Sequence, residues 1–493
     1  MLPSVVRFTV SLAVIVFALW SLAAHAAGSE AKRTPNVVFI LVDDLGWTDV
    51  GSFGSGFYKT PNVDRLAREG MRFENAYSAC TVCSPTRAAV MTGFYPARTR
   101  VTDWITGHKR PFAKLKVPDW TMQLEPRHYN LAEAFRDAGY ATAHVGKWHL
   151  GQSEDLWPEK QGFDVNVGGW SVGAPQRGNG GGGFFPPYLN PRLTDGPSGE
   201  YLDDRLAREA VAFIEENRRR PFFLNLWLYT VHTPLQAAAE KIAKYRDLAR
   251  EGAHHRNPTY AAMVEHMDDA VGAITSALDR LGLKEDTIVI LTSDNGGLIG
   301  NRGDVTKPTS ITSNFPLRTG KGDVYEGGVR VPLIVRWPGK VSEGSVSSLP
   351  TISPDFYPTL VELSGMKRHK NLPSAFDGAS LAPVLLGQSS TLEREAIYWH
   401  YPHYHAEGAT PYSAIRKGDW KLIEFLEDGR VELYNLASDI GEKTDLGISE
   451  SRKRDELRAD LAAWRKRVGA QMPTLNPDYD PAKAAEFRLG AAL

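Results

Sequence analysis

The sequence predicts an α/β protein: a large, mainly parallel sheet sandwiched by helices, then a smaller C-terminal antiparallel β-sheet with a closing helix. Three observations carry this. Four continuous apolar runs, rich in β-branched and aromatic residues, read as strands buried on both faces. Helical patterns separate them, and strands alternating with helices imply parallel pairing. Toward the C-terminus the pattern changes to short alternating runs with turn signals, the mark of antiparallel strands.

The first apolar run, 36–42, ends in Asp43-Asp44. The second, 140–145, leads into Gly146-Lys147-Trp148-His149. The third, 222–229, is followed by His232-Thr233-Pro234, and the fourth, 287–292, by Ser293-Asp294-Asn295. Helices are expected at 62–69, 131–138, 201–218 and 260–281; Gly139 and Gly282 stop two of them. The segment 158–197, rich in Gly, Pro and aromatics, reads as a long surface loop. Runs at 397–401, 412–425 and 431–436 form the antiparallel part, and 455–468 is its helix. The expected organisation is an export signal at 1–26, a catalytic domain at 34–387, an antiparallel subdomain at 388–475 and an irregular tail at 476–493.

Ligands of parallel sheets sit outside the carboxyl ends of the strands. All four apolar runs place acidic, basic or amide side chains at that end. One acid after a strand is commonly a helix cap, whereas four such ends converge on a site. The chain's formal net charge of -1 over 493 residues excludes nucleic-acid binding through global charge, so any anion site must be built locally.

The N-terminus has a positive start at Arg7, an apolar stretch and a small-x-small pattern at Ala24-His25-Ala26. This reads as a cleaved export signal, giving a periplasmic or secreted protein with no stable membrane insertion afterwards. The only two cysteines, Cys80 and Cys83, are separated by two residues. A disulfide there would close a tiny loop and stabilise little. A structural zinc site needs more soft ligands than one pair supplies. A redox pair stays open as an alternative, but gives no reason for Asp43, Asp294 or Lys321.

Cys83 is followed by Ser84-Pro85-Thr86-Arg87-Ala88-Ala89. Pro85 suits the first turn of a helix, so Cys83 falls at a helix N-terminus, where free N–H groups favour an anion. Arg87 lies about one turn on. Cys-Ser-Pro-Thr-Arg, running on to Thr92-Gly93, resembles the Cys-x-Pro-x-Arg signature of the type I, arylsulfatase-like sulfatases of the alkaline phosphatase superfamily. The resemblance extends from Asn36 to about Gly365. It implies that Cys83 is oxidised to formylglycine by a maturation enzyme. Asp43, Asp44, Asp294 and Asn295, with residue 83, would hold Ca²⁺ or, second, Mg²⁺; such all-oxygen donors suit these cations. Gly146-Lys147-Trp148-His149 is similar to the family's Gly-Lys-Trp-His segment, and places Lys147 and His149 on one side of an extended strand end.

The same resemblance implies hydrolysis of a sulfate ester through a sulfated-enzyme intermediate. Asp294 would help to activate the attacking hydroxyl. His232, with Lys321, would protonate the leaving oxygen, and His149 would be the base that releases sulfate. Arg87, Lys147 and Lys321 would surround the sulfate with positive charge. The expected substrate is a sulfated carbohydrate, with aryl sulfates accepted in assay. Trp170 and the histidines of His400-Tyr401-Pro402-His403-Tyr404-His405 are candidates to contact it. Two other readings remain open: a phosphonate monoester or phosphodiester hydrolase of the same superfamily, and a non-catalytic sulfated-glycan binder if Cys83 stays unconverted.

Overall fold

The computed structural model describes residues 34–178, 181–300, 310–366 and 370–488; the expected export signal lies outside the described residues. Its main sheet has eight strands: β1 (Asn36–Val42), β2 (Met71–Phe73), β3 (Ala141–Gly146), β4 (Val165–Val167), β5 (Phe222–Trp227), β6 (Thr287–Ser293), β7 (Leu333–Arg336) and β8 (Ser345–Ser347). Their order is β8-β2-β7-β6-β1-β5-β3-β4. The four apolar runs occupy the centre, β6-β1-β5-β3, and pair in parallel. Only β7 runs antiparallel to its neighbours.

The central strands are mostly apolar because both faces are covered by helices: α1 (Pro61–Arg68), α2 (Cys83–Thr92), α3 (Leu131–Asp137), α4 (Leu202–Asn217), α5 (Pro258–Arg280) and α6 (Phe356–Leu363). Alternate side chains of β1 feed two cores. Val38, Ile40 and Val42 pack with α1, α4 and α5, while Val37, Phe39 and Leu41 pack with α2, α3 and α6. Each fully buried aliphatic side chain contributes about 1.5–3 kcal/mol. That drive puts the charged residues past the strand ends, while Thr142, His144 and Asn225 are among the buried polar exceptions inside the strands. The Asn130–Glu133 capping box starts α3, and Asn257 caps α5.

The C-terminal sheet is antiparallel as expected, with strands β9 (Ala396–Tyr401), β10 (Tyr412–Lys417), β11 (Trp420–Phe425) and β12 (Val431–Asn435) in sequence order. Helix α7 (Ser451–Val468) packs Leu457, Leu461 and Trp464 on it. The same core includes Tyr77, Val82 and Ala89, so this sheet rests against the start of α2.

Two expectations need correction. The 158–197 segment is not simply a surface loop: it supplies edge strand β4, and Phe163, Phe184 and Tyr188 are buried. These three aromatics are core residues linked by glycine turns. The described part of the tail, 476–488, is not irregular either. Thr474–Leu475 pairs with Leu115–Lys116, Asn476 Nδ2 donates to the carbonyls of Pro111 and Ala113, and Asp480 accepts from the amides that open helix α8 (Pro481–Arg488). The tail is therefore a brace across the 110–116 segment. Its partners are distant in sequence, so no local pattern announces it.

The two sheets are joined by a buried ion network. Lys421 Nζ lies 2.9 Å from both Glu326 Oε1 and Glu442 Oε1, and all three side chains are fully buried. Burial opposes ionisation of both acids, and Lys421 favours it. Arg330 and Arg416 add to its effect on Glu326, which falls well below the usual carboxylate range. Glu442, left with burial and the Glu326 charge, is pushed up to about 7. Lys421→Met leaves two buried acids without their common cation. It is expected to cost about 3–5 kcal/mol, read as a lower midpoint of urea unfolding.

Candidate active site

Strand register assembles the site. Val42 is paired with Ser293, so Asp43 and Asp294 leave the sheet side by side. Gly146 is paired with Trp227, which brings Lys147 alongside. Gly146 takes φ 108°, and a Cβ there would lie 2.0 Å from the Trp227 carbonyl oxygen, so only glycine lets the chain turn here. Helix α2 begins at Cys83 below these strand ends; Val82 offers no side-chain cap, and Gly93, φ 71°, closes the helix. Its first turn therefore points uncapped N–H groups at the site.

Arg87 is fully buried and binds Asp294 Oδ2 through Nε at 2.9 Å and Nη2 at 2.8 Å. Its Nη1 donates to the Lys147 carbonyl at 2.9 Å, and its guanidinium lies over the Trp227 ring. Lys147 Nζ donates to Asp43 Oδ2 at 2.7 Å, and Lys321 Nζ to Asp44 at 2.8 Å. Asn295 Nδ2 donates to Asp44 Oδ1, and the Asp44 amide to Asp294 Oδ1. Asp44 itself sits at φ 63°, a left-handed conformation that aspartate tolerates. Burial opposes the charge of Lys321, but Asp44 and residue 83 overcome it and hold the ammonium above the ordinary lysine range. Burial likewise opposes ionisation of Asp294, and Arg87 outweighs it. Asp43, also facing Asp294 and Asp44, is pushed well up by burial.

Two buried oxygens in this cluster, Asp43 Oδ1 and Asn295 Oδ1, have no hydrogen-bond partner. Asp43, Asp44 and His232 can each offer a ligand atom within 4.8 Å of one another. Orphaned hard oxygens beside carboxylates fit a bound Ca²⁺ or Mg²⁺.

His149 reaches the same point from above Cys83. Its Nε2 faces the Ile105 carbonyl, which can only accept, so the proton sits on Nε2. The Nδ1 lone pair then faces Cys83 Sγ at 3.4 Å. Burial, then Lys147, holds this imidazole well below the ordinary histidine range. His149 has φ 59°, and Gly173 packs on the ring so closely that a Cβ would lie 2.3 Å from it. His232 donates Nδ1–H to the Thr233 carbonyl at 2.7 Å and keeps Nε2 3.8 Å from Asp44. Burial and Lys321 lower it to about 3. A cavity of about 480 Å³ opens over Cys83, His149, His232 and Lys321.

The family model for sulfatases matches residues 35–366. The chain belongs to the sulfatase family. A second model, described as N-sulphoglucosamine sulphohydrolase, C-terminal, matches residues 320–467. This sulfatase is 32% identical to a sulfatase of Formosa agariphila, over 90% of this chain and 89% of the relative. It is 33% identical to N-acetylgalactosamine-6-sulfatase of Rattus norvegicus, over 76% and 69% of the two chains. The crystal structure of Ps i-CgsB in complex with k-i-k-neocarrahexaose superposes with a TM-score of 0.73 and 29% identity, covering 93% of this chain and 97% of that one.

The sulfatase structure brings Asp43, Asp44, Cys83, Arg87, Lys147, His149, His232, Asp294, Asn295 and Lys321 to one place. Lys147 and His149 do not get there by strand alternation, as the sequence suggested. The strand stops at Gly146, and the turn at His149 aims the two side chains separately. Cys80 and Cys83 are free thiols, not a disulfide.

The candidates for substrate contact divide. His405 lines the cavity. Trp170 acts through its carbonyl, which accepts from the His149 amide at 3.1 Å. His400 is tied up by Ser413 Oγ and the Gln471 carbonyl, and His403 by Thr102 Oγ1. Both are buried braces outside the cavity, because β9 runs beneath the wall and its chain reaches the mouth only at His405. Sequence reasoning missed the rest of that wall, Trp104, Ile105 and His108. The run Trp-Ile-Thr-Gly-His carries no motif; an aromatic and a histidine around a glycine were its only signal.

Arg87→Lys keeps the charge but loses the fork onto Asp294. The expected result is a roughly 10²–10³-fold fall in kcat on an aryl sulfate with an unchanged circular dichroism spectrum.

Proposed function

We propose that this sulfatase hydrolyses sulfate esters of a carbohydrate outside the cytoplasm, using a formylglycine made from Cys83 and a bound Ca²⁺, with Mg²⁺ as second choice. The observation that carries the reading is the cavity that residue 83, the His149 Nδ1 lone pair and Lys321 line, with the Asp43–Asp44–Asn295 cluster and its two orphaned oxygens buried behind Lys321. The named relatives support a sugar substrate: one is an N-acetylgalactosamine-6-sulfatase, and one solved structure holds a neocarrahexaose. Among the described residues no helix is long and apolar enough to cross a membrane. The export reading rests on the N-terminal pattern alone.

Asp43, Asp44, Asp294 and Asn295 would hold the cation, which supplies Lewis acidity and lowers the pKa of an oxygen bound to it. The formylglycine would supply a hydrated aldehyde, a nucleophile that can also release its product. The chain's own residues do the rest. Arg87, Lys147 and Lys321 are fixed by their carboxylates before substrate arrives, so their field needs no reorganisation. His149 presents a lone pair to residue 83 and takes a proton there, its Nε2–H anchored on Ile105. The leaving oxygen is served by the pair of His232 and Lys321. His232 alone is neutral in this setting, with its Nδ1 proton committed to Thr233, so the ammonium of Lys321 is the charged donor on that side.

Four measurements test this. Mass spectrometry of the alkylated tryptic peptide 73–87 should find Cys80 alkylated and position 83 converted from thiol to aldehyde. Full alkylation at both positions in an active preparation would sink the formylglycine reading. Cys83→Ala should abolish turnover of 4-nitrophenyl sulfate without shifting the melting temperature downward. The wild type should hydrolyse this sulfate faster than bis(4-nitrophenyl) phosphate, and the reverse order would favour the phosphodiesterase alternative. Dialysis against a chelator should remove activity, and Ca²⁺ should restore more of it than Mg²⁺.

A further inference from the structure

One wall of the cavity is built from two rings that the mechanism does not use. Trp104 Nε1 donates to His108 Nδ1 at 3.0 Å. An indole nitrogen can only donate, so His108 Nδ1 carries a lone pair and the proton is on Nε2. Across from it, the Glu407 amide donates to His405 Nδ1 at 3.1 Å, which fixes His405 in the same form. The two imidazoles meet edge to face, 4.8 Å between centroids at 87°, and both line the cavity over Cys83. Neither Nε2 has a hydrogen-bond partner within the chain among the described residues. Gly322 makes room for His405: a Cβ there would lie 2.1 Å from its Nδ1.

The wall is held from behind. Tyr401 donates to Asp103 Oδ1 at 2.7 Å, and His403 Nε2 lies 2.8 Å from Thr102 Oγ1. Asp103 in turn accepts from the Trp104 amide. Both strands of the wall, 102–108 and 401–407, are thus fixed to each other before any substrate binds.

We propose that His108 and His405 form a pre-set pair of neutral Nε2–H donors that recognises an oxygen of the sugar next to the esterified position, and so sets specificity for the leaving group. This rests on the carbohydrate reading above and names the part of the site that reads the sugar. Burial, with the charges of Arg110 and Lys321 near the pair, disfavours protonation of both rings: His108 is lowered to about 4, and His405 lies well below the ordinary histidine range. Both Nε2–H groups line the cavity with no acceptor in the chain among the described residues, so each is free to donate to a bound sugar oxygen. Trp104 is a positioning residue, since it acts on substrate only through the tautomer of His108.

The test compares kcat/KM on 4-nitrophenyl sulfate with that on monosulfated galactose, glucose, N-acetylgalactosamine and N-acetylglucosamine. His108→Ala and His405→Ala should lose roughly 10- to 100-fold more on the best sugar than on the aryl ester, mainly through KM. His108→Gln and His405→Gln, whose amides restore a donor near Nε2, should recover most of that loss. Trp104→Phe should raise KM for the sugar, and nitrogen-15 NMR of labelled histidine should show the lone-pair signal of His108 Nδ1 altered in that variant. Equal losses on sugar and aryl ester, or Gln variants as poor as Ala, overturn this inference while leaving the carbohydrate reading standing. A wild type that hydrolyses the aryl ester but none of the sugars overturns both.

Discussion

The fork of Arg87 onto Asp294 is the contact on which the site depends. It ties helix α2, which carries Cys83, to the end of β6; Nη1 reaches the Lys147 carbonyl, and Nη2 also lies 3.7 Å from Asp43 Oδ1. From there the chain of charge runs through Lys147 to Asp43 and through Asn295 and Lys321 to Asp44. Three carboxylates and three cations are held in an almost dry space. Each charge alone would be expelled by its desolvation cost, and each is tolerable because its neighbours are fixed opposite it. The strands can supply those neighbours only because they are parallel and in register, so their carboxyl ends lie in one plane.

This balance also explains why the cluster fits a cation. Positive side chains satisfy most of the carboxylate oxygens, but Asp43 Oδ1 and Asn295 Oδ1 are left over, both buried. Native interiors rarely leave such atoms without partners. The geometry that holds three cationic side chains leaves two hard oxygens without a positive partner.

The C-terminal sheet works on the same site from the side. It does not bring a catalytic constellation of its own. Its strands rest on the start of α2, its Lys421 joins Glu326 and Glu442, and the run after β9 pins the 102–108 wall through Tyr401 and His403 before delivering His405 to the mouth. The tail adds a further brace, through His400 to Gln471 and through Asn476 to the 111–113 backbone. A dense His/Tyr run thus divides its labour. Some of its residues hold the wall, and one faces the substrate space.

The central sheet, the antiparallel appendage and the gathering of charged residues at the strand ends were legible in the amino-acid pattern. Strand periodicity is local, and strand ends in a parallel sheet converge wherever they lie in the chain, so Asp43, Lys147, His232 and Asp294 could be placed together without coordinates. The Cys-x-Pro-x-Arg helix start was equally local. The cavity wall and the order in the tail came from tertiary contacts instead. Which of His400, His403 and His405 faces the cavity depends on where β9 ends against a segment some three hundred residues earlier. Trp104 and His108 acquire a role only because Glu407 and Tyr401 pack opposite them. The 474–488 brace pairs with partners near residue 115, and a contact between distant segments leaves no periodic trace in either one.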